Sequence, residues 1–299
     1  MQEPQHAHDH ADADHNGGLL HDLRTLAHTA AHLSADRRQA LRSLLGMGTL
    51  MLVGCGGGGD SGSSVTADTS TSGTTTPGTT GGVSSCSVIP EETAGPYPGD
   101  GSNSNSAGLA NALALSGIVR SDIRSSIAGG TATAAGVPLT IQLRLVNTAS
   151  ACADLSGYAI YLWHCDRDGK YSMYSSGLTS ENYLRGVQPT DSDGVASFTT
   201  IFPACYSGRM PHVHFEVYRS ETTATQYSNK LKTSQLAFPA AVCQTVYAST
   251  GYSQSVSNLS QMSFATDNVF SDGVSLQTAT VTGNAVDGYV ATLTVGIGA

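Results

Sequence analysis

The stretch from His212 to Tyr218 restricts the fold of this chain more than any other. β-Branched and aromatic residues at Val213, Phe215, Val217 and Tyr218 predict a strand. Successive strand side chains point to opposite faces, so His212 and His214 leave from one face, about 7 Å apart at roughly 3.3 Å per residue. Two imidazoles so placed can ligate one metal ion. A lone H-x-H is also a common surface accident, so the pair needs support from elsewhere.

That support is a histidine count and an upstream segment. Of ten His, seven (His6, His8, His10, His15, His21, His28, His32) fall in the first 32 residues, and only His164, His212 and His214 follow. Tyr206 and Arg209 precede the pair in a loop punctuated by Pro203, Gly208 and Pro211. Upstream, residues 160–172 carry the only Trp, Trp163, and run into the turn Asp166-Arg167-Asp168-Gly169-Lys170-Tyr171.

Short apolar runs recur at 117–119, 139–146, 158–163, 195–201, 212–218, 279–282 and 289–295, separated by turn residues. Runs of this length and spacing predict an all-β fold, a β-sandwich. Charged residues make up only 12% of the chain, and sparse Lys and Glu argue against long surface helices. The best candidate for a short helix is 231–247. Beyond Cys55 there are ten Lys/Arg against seventeen Asp/Glu, a balance that excludes a nucleic-acid partner.

The first 85 residues do not read as globular. Residues 1–35 are polar and His/Asp-rich at first, the composition of a solvated tail. Arg37 and Arg38 then precede an apolar run at 44–53, which ends in Leu52-Val53-Gly54-Cys55. A basic region, a short apolar region and a small residue make an export signal. The Arg pair resembles a twin-arginine signal, and the box before Cys55 resembles a lipoprotein cleavage site. The run is too short to span a bilayer, so membrane attachment would come only through lipid on Cys55. Residues 56–85 are almost entirely Gly, Ser and Thr with Pro77, the composition of a flexible tether. The expected organisation is 1–55 extension and signal, 56–85 linker, and 86–299 folded domain. The chain is expected to be exported, either anchored at the cell envelope or secreted or periplasmic.

Five Cys follow Cys55: Cys86, Cys152, Cys165, Cys205 and Cys243. In an oxidising compartment four of them could form two disulfides and leave one free, with connectivity undetermined. No C-x-x-C spacing suggests zinc.

Taken together, four separated motifs resemble the intradiol ring-cleavage dioxygenases, the family of protocatechuate 3,4-dioxygenase and catechol 1,2-dioxygenase. They are Pro90-Glu91-Glu92-Thr93-Ala94-Gly95-Pro96-Tyr97, then 163–171, then Leu184-Arg185-Gly186-Val187-Gln188 with Thr190, Asp191 and Gly194, then 200–214. The tail at 269–273 and Gly288-Tyr289 is also similar. The resemblance covers about 86–299, lacks the N-terminal helical dimerisation domain of catechol 1,2-dioxygenases, and is closer to the compact, exported branch that is similar to the protocatechuate β subunit. It implies a β-sandwich holding a non-haem Fe(III) through Tyr171, Tyr206, His212 and His214. It also implies Arg209 beside a small aromatic diol substrate, O2 as co-substrate, no organic cofactor, and Tyr206 as the displaceable ligand that accepts a substrate proton. The chemistry of the donors agrees, because hard phenolates favour Fe(III) and a trivalent cation deprotonates a tyrosine whose free pKa is about 10.

Other readings of these residues stay open at this point. Tyr174 and Tyr183 lie close to Tyr171. Tyr206 could be an ordinary loop aromatic and Arg209 a salt-bridge partner. His164, next to Trp163, reads as structural, as does Gln188, and Pro96 and Tyr97 could simply form a turn. A cupin-like oxygenase could use the H-x-H pair with further His or Glu ligands. A surface-anchored binding module could use the sandwich without metal. The oligomeric state is not legible.

Overall fold

A computed structural model describes residues 86–299. The signal, Cys55 and the tether lie outside the described residues.

The chain first makes a hairpin, β1 (Asp100–Asn105) and β2 (Gly108–Asn111). Two sheets follow. One contains β3 (Pro138–Asn147), β4 (Ala153–Asp154), β7 (Val195–Ile201), β10 (Thr280–Asn284) and β11 (Gly288–Ile297). Its strand order is β10-β11-β3-β4, and β7 pairs along the first part of β3 on the edge that β4 extends. β3 and β11 are parallel, with Leu143 opposite Leu293. The other sheet has the order β6-β5-β8-β9 and is antiparallel throughout, with β5 (Ala159–Trp163), β6 (Arg185–Pro189), β8 (His212–Tyr218) and β9 (Lys232–Ala237). This is the all-β sandwich expected from the spacing of the apolar runs.

The two sheets face each other across one apolar core. Ile141, Leu143 and Leu145 of β3, Phe198 of β7 and Leu293 of β11 meet Ile160, Leu162, Val213, Phe215 and Val217 of the second sheet. Strand alternation then sends His212, His214, Glu216 and Tyr218 to the opposite side of β8. That side is not solvent. A second apolar cluster covers it, built from Tyr161 and Trp163 of β5 with Ala110, Ala112, Leu113, Ile118, Tyr171 and Met173. Every residue of β8 is buried as a result, and the His pair lies between the sheet and its cover.

Three expectations change in detail. The run at 117–119 makes only an isolated bridge, Val119 to Val187. The stretch 231–247 is strand β9 followed by a helix, Ala240–Tyr247. β9 is cryptic because the buried residues Thr233, Ser234 and Gln235 break any apolar alternation, and Pro239 then ends the strand and starts the helix. One disulfide forms rather than two: Cys86–Cys152, with Cα atoms 5.8 Å apart, while Cys165, Cys205 and Cys243 are buried thiols. The bridge closes a separation of 66 residues, for which the chain-entropy account gives roughly 4 kcal/mol. It pins the start of the segment that runs on to Tyr97 across the second sheet.

Candidate metal centre

β8 delivers the first two donors. The Nε2 atoms of His212 and His214 lie 3.1 Å apart. His212 Nδ1 is 2.7 Å from the Met210 carbonyl, an acceptor only. The proton therefore sits on Nδ1, and Nε2 presents its lone pair. The His214 ring is stacked on Trp163, at 5.0 Å and 5°. Gly95 lies against its other edge: a Cβ there would come within 3.3 Å of His214 Cε1, and its φ of +68° suits glycine.

The third donor comes from the turn after β5. Asp166 accepts the N–H groups of Asp168 and Lys170 on one oxygen, both at 2.9 Å, and the Tyr183 hydroxyl on the other, also at 2.9 Å. This side chain-to-backbone clamp closes the turn. Gly169, at φ +78°, packs its bare Cα against Tyr206, where a Cβ would sit 3.2 Å from the Tyr206 Cβ. Tyr171 emerges from the turn fully buried, and its hydroxyl makes no hydrogen bond of good geometry. Tyr174 and Tyr183 are employed elsewhere: the Tyr174 hydroxyl bonds Asn103 and Gly99, and Tyr183 bonds Asp166. Of the three neighbouring tyrosines, Tyr171 alone faces the His pair, 6.4 Å from His214 between ring centroids.

Tyr206 follows β7 in a loop tied down by Ser255, which accepts the Cys205 N–H, and by Asn258, which donates to the Cys205 carbonyl. It is half-buried, with its hydroxyl 3.1 Å from His212 Nε2 and its ring 6.1 Å from that of Tyr171. All four expected donors thus converge.

Whether these residues suit a cation can be judged from their own chemistry. Burial first, then the neighbouring Tyr206 and Cys165, pushes the Tyr171 phenol well above its ordinary pKa. Burial, then the Arg209 charge, holds His212 well below the usual imidazole value; burial, then His212, does the same to His214. Two imidazole nitrogens facing each other at 3.1 Å and a buried phenol with no well-formed hydrogen bond are costly together. A cation among them reverses the preference of the phenol, drawing Tyr171 to its anionic form, and takes up the lone pairs of imidazoles that burial already keeps neutral. Two nitrogens each about 2.1 Å from one ion and at right angles to each other lie about 3 Å apart, which is the spacing of the Nε2 pair. The set fits an Fe(III) ion.

The family model described as "Dioxygenase" matches residues 121–296. The chain belongs to the intradiol ring-cleavage dioxygenase family. It is therefore an oxidoreductase, and the family acts on catechol-type rings. An intradiol ring-cleavage dioxygenase from Tetranychus urticae is similar in structure with a TM-score of 0.53 and 23% identity, over 71% of this chain and 95% of that one, and shows the shared fold. The dioxygenase domain of a dioxygenase–carbohydrate-binding protein fusion from Streptomyces sp. SirexAA-E is 22% identical over 71% of this chain and 98% of that one, TM-score 0.43. The 3-chlorocatechol 1,2-dioxygenase from Rhodococcus opacus 1CP is 16% identical over 70% of this chain and 71% of that one, TM-score 0.43.

For an intradiol dioxygenase, Arg209 was the expected substrate neighbour, and the structure adds the groups that hold it. Its Nε lies 3.1 Å from both oxygens of Asp267, and its Nη2 donates to Gln235 Oε1 at 2.7 Å. Asp267 is fully buried and also accepts the N–H groups of Met210, Val269 and Phe270. Arg209 is thus both a neighbour of Tyr206 and Tyr171, whose charges act on it, and a buried salt-bridge partner. Asp267 and Gln235 went unread in the sequence. Asp267 sits two residues before the tail motif, and Gln235 lies opposite His214 on the cryptic strand β9. Tyr97 borders the site, with its ring 5.0 Å from that of Tyr171. The Gln188 side chain donates to the Val187 carbonyl of its own strand at 3.2 Å.

His164 is structural. Nδ1 lies 2.7 Å from the Cys165 carbonyl, and Nε2 lies 2.7 Å from Thr200 Oγ1. Both nitrogens are occupied, so a cupin-like set built on the His pair loses its third imidazole. Burial pushes the His164 pKa down to about 4, against an ordinary 6.5. The unfolded chain therefore binds the extra proton first, and folding stability is lost as pH falls through that window. Urea unfolding of the wild type should lose about 3 kcal/mol more between pH 7 and pH 4 than His164→Gln does. Equal losses in the two proteins would contradict a neutral buried His164.

Proposed function

We propose that this chain is a non-haem Fe(III)-dependent intradiol dioxygenase that cleaves a catechol-type ring with O2 between its two hydroxylated carbons. The product is a cis,cis-muconate-type diacid carrying both oxygen atoms. The observation that carries this reading is the meeting of two imidazole Nε2 atoms 3.1 Å apart with the Tyr171 and Tyr206 phenols in a chain from this family.

Tyr171, Tyr206, His212 and His214 would hold the ion, and bound Fe(III) supplies the electron withdrawal that opens a catecholate ring to O2. The residues have separable tasks. His214 is fixed by Trp163 and His212 by the Met210 carbonyl, so both keep their lone pairs aimed inward. Tyr171 is buried and stays as an anionic donor. Tyr206 is half-buried, and its phenolate oxygen can take a proton from a catechol hydroxyl as it moves aside. Arg209, held by Asp267 and Gln235, places a fixed positive charge where anionic oxygen develops, without the reorganisation a mobile side chain would need. The cover over β8 keeps bulk water from the reacting ring.

Residues 36–55 support export, with lipid on Cys55 as the anchor, and the Cys86–Cys152 disulfide supports an oxidising destination.

Metal analysis of purified protein should find about one Fe per chain, with a visible phenolate-to-iron charge-transfer band. Oxygen uptake on adding catechol should match ring loss. Protein that stays colourless and iron-free after ferrous loading in air, or coloured protein that consumes no O2 with any catechol, would end this reading.

A further inference from the structure

The backbone just ahead of Tyr206 is held more closely than a connecting loop requires. β7 ends at Ile201, so no strand ladder serves residues 202–205. Each of their backbone N–H and carbonyl groups has a partner all the same. The Phe202 N–H donates to the Val137 carbonyl at 2.8 Å, and the Ala204 N–H to the Asp166 carbonyl at 3.2 Å. The Cys165 thiol donates to the Ala204 carbonyl at 3.7 Å. The remaining partners are side chains from residues 247–258. The Tyr252 hydroxyl donates to the Phe202 carbonyl at 2.8 Å, and the Tyr247 hydroxyl to the Pro203 carbonyl at 3.0 Å. Ser255 Oγ accepts the Cys205 N–H at 3.1 Å, and Asn258 Nδ2 donates to the Cys205 carbonyl at 2.8 Å.

These pins stand on ordered elements. Tyr247 ends the helix Ala240–Tyr247, and Ser255 and Asn258 belong to the helix Ser253–Leu259. Tyr247, Tyr252 and Ser255 are buried. The chain is closed on the far side of Tyr206 as well. The Arg209 N–H donates to the Tyr206 carbonyl at 3.4 Å, and the Cys205 thiol donates to the Arg209 carbonyl at 3.4 Å. The main chain of Tyr206 is therefore fixed from both directions. Its half-buried side chain keeps rotational freedom, and the resting place of the hydroxyl, 3.1 Å from His212 Nε2, is chosen by the backbone that carries it.

We infer that residues 247–258 form a positioning element for Tyr206: by fixing the backbone at Cys205 they hold the phenol at the His pair, and so set how strongly an incoming diol must compete to displace it. The inference rests on the function proposed above and adds the residues that tune it. Each bond that removes freedom from this backbone lowers the entropy lost in placing Tyr206. It thereby favours the site with Tyr206 in place over the site a diol enters, and the apparent affinity for the diol scales with the fraction in the second form. Asn258 is the positioning residue best suited to a test. It reaches the carbonyl immediately before Tyr206, and it is only partly buried.

Two variants test it, and either decides the matter if the other folds poorly. Asn258→Asp keeps the shape and exchanges the donor for an acceptor. Tyr247→Phe removes a hydroxyl from the other helix and keeps the ring. Thr245→Ala is the control, because the exposed Thr245 donates to the Ala241 carbonyl of its own helix. In the iron-free protein, hydrogen exchange across residues 203–208 should be faster in both variants than in the wild type or the control. In the iron-loaded protein, the resting charge-transfer band should move part-way toward that of Tyr206→Phe. Anaerobic titration should give a Kd for catechol about 5-fold lower than the wild type, the equilibrium equivalent of one ordinary hydrogen bond, while the urea midpoint falls. Higher affinity in a less stable protein marks positioning, since a site that is merely loosened binds more weakly. Catechol affinity that is unchanged or weaker, or exchange that neither variant moves, reduces these residues to structural support and overturns this inference alone. Iron-loaded wild type whose band responds to no catechol overturns the proposed function, and this inference with it.

Discussion

Replacing His212 or His214 with alanine should bleach the protein and remove most of its iron. Each imidazole supplies one of four donors, and each is buried where water cannot readily substitute. A neutral nitrogen lost from such a set weakens the hold on the ion and leaves the Tyr171 phenol, which burial pushes back toward its protonated form. Iron content and the charge-transfer band should therefore fall together, by 10-fold or more on the order of effects seen when a metal site loses support. Tyr206→Phe should keep part of the iron and shift the band, because Tyr171 remains as a phenolate donor. The stack between His214 and Trp163, at 5.0 Å, adds a control. Trp163→Phe keeps the donor set and should keep the colour. If His214→Ala retained colour and iron while Trp163→Phe lost both, the donor assignment on β8 would be wrong.

Removing Arg209 should cost both stability and turnover, and the two losses can be separated. Arg209→Gln leaves the carboxylate of Asp267 buried and uncompensated, which destabilises by roughly 3–5 kcal/mol. The same variant should lower kcat/KM on the order of 10²-fold, the loss typical of a missing donor at developing negative charge. Iron and colour should stay, because a guanidinium cannot ligate a cation. Adding Asp267→Asn removes the orphaned charge and should restore part of the stability. Restoration is incomplete, because Met210, Val269 and Phe270 all donate to the native carboxylate. Turnover should not recover. Urea midpoints and steady-state kinetics on the single and double variants decide the matter. A double variant that regains both would reduce Arg209 to a structural salt-bridge partner.

Much of the fold was legible along the chain. The strands β3, β5, β7, β8, β10 and β11 follow apolar runs bounded by turn residues, and period-two alternation is a local property that tertiary contacts here reinforce. β9 was hidden because its buried side chains are Thr233, Ser234 and Gln235, polar groups that make sense only once the covering segment and Arg209 are in place. The β1–β2 hairpin was hidden for a similar reason: its sequence, Asp-Gly-Ser-Asn-Ser-Asn and Gly-Leu-Ala-Asn, has no apolar period. The helix Ser253–Leu259 carries Ser255, whose hydroxyl accepts the N–H of Cys205 just before Tyr206, and nothing in its local pattern announces that task.

By itself the sequence determined that His212 and His214 share a face, because side-chain direction on a strand depends only on parity. It also determined which residue types could surround a cation, and that Asp166 and Gly169 would turn the chain just before Tyr171. Only the tertiary structure decided that the His face would be covered rather than wet. That outcome depends on residues 91–113, with Ile118, Tyr171 and Met173, packing over a sheet whose His-bearing strand lies far along the chain. Only packing chose Tyr171 over Tyr174 and Tyr183, by tying the other two hydroxyls to Asn103 and Asp166 and turning Tyr171 toward Tyr206 and the His pair. The Arg209–Asp267 bridge was likewise a tertiary decision. Its partners are separated by 58 residues, and electrostatic attraction has no sequence period to betray it: the pair exists because the fold removes both charges from water in the same place.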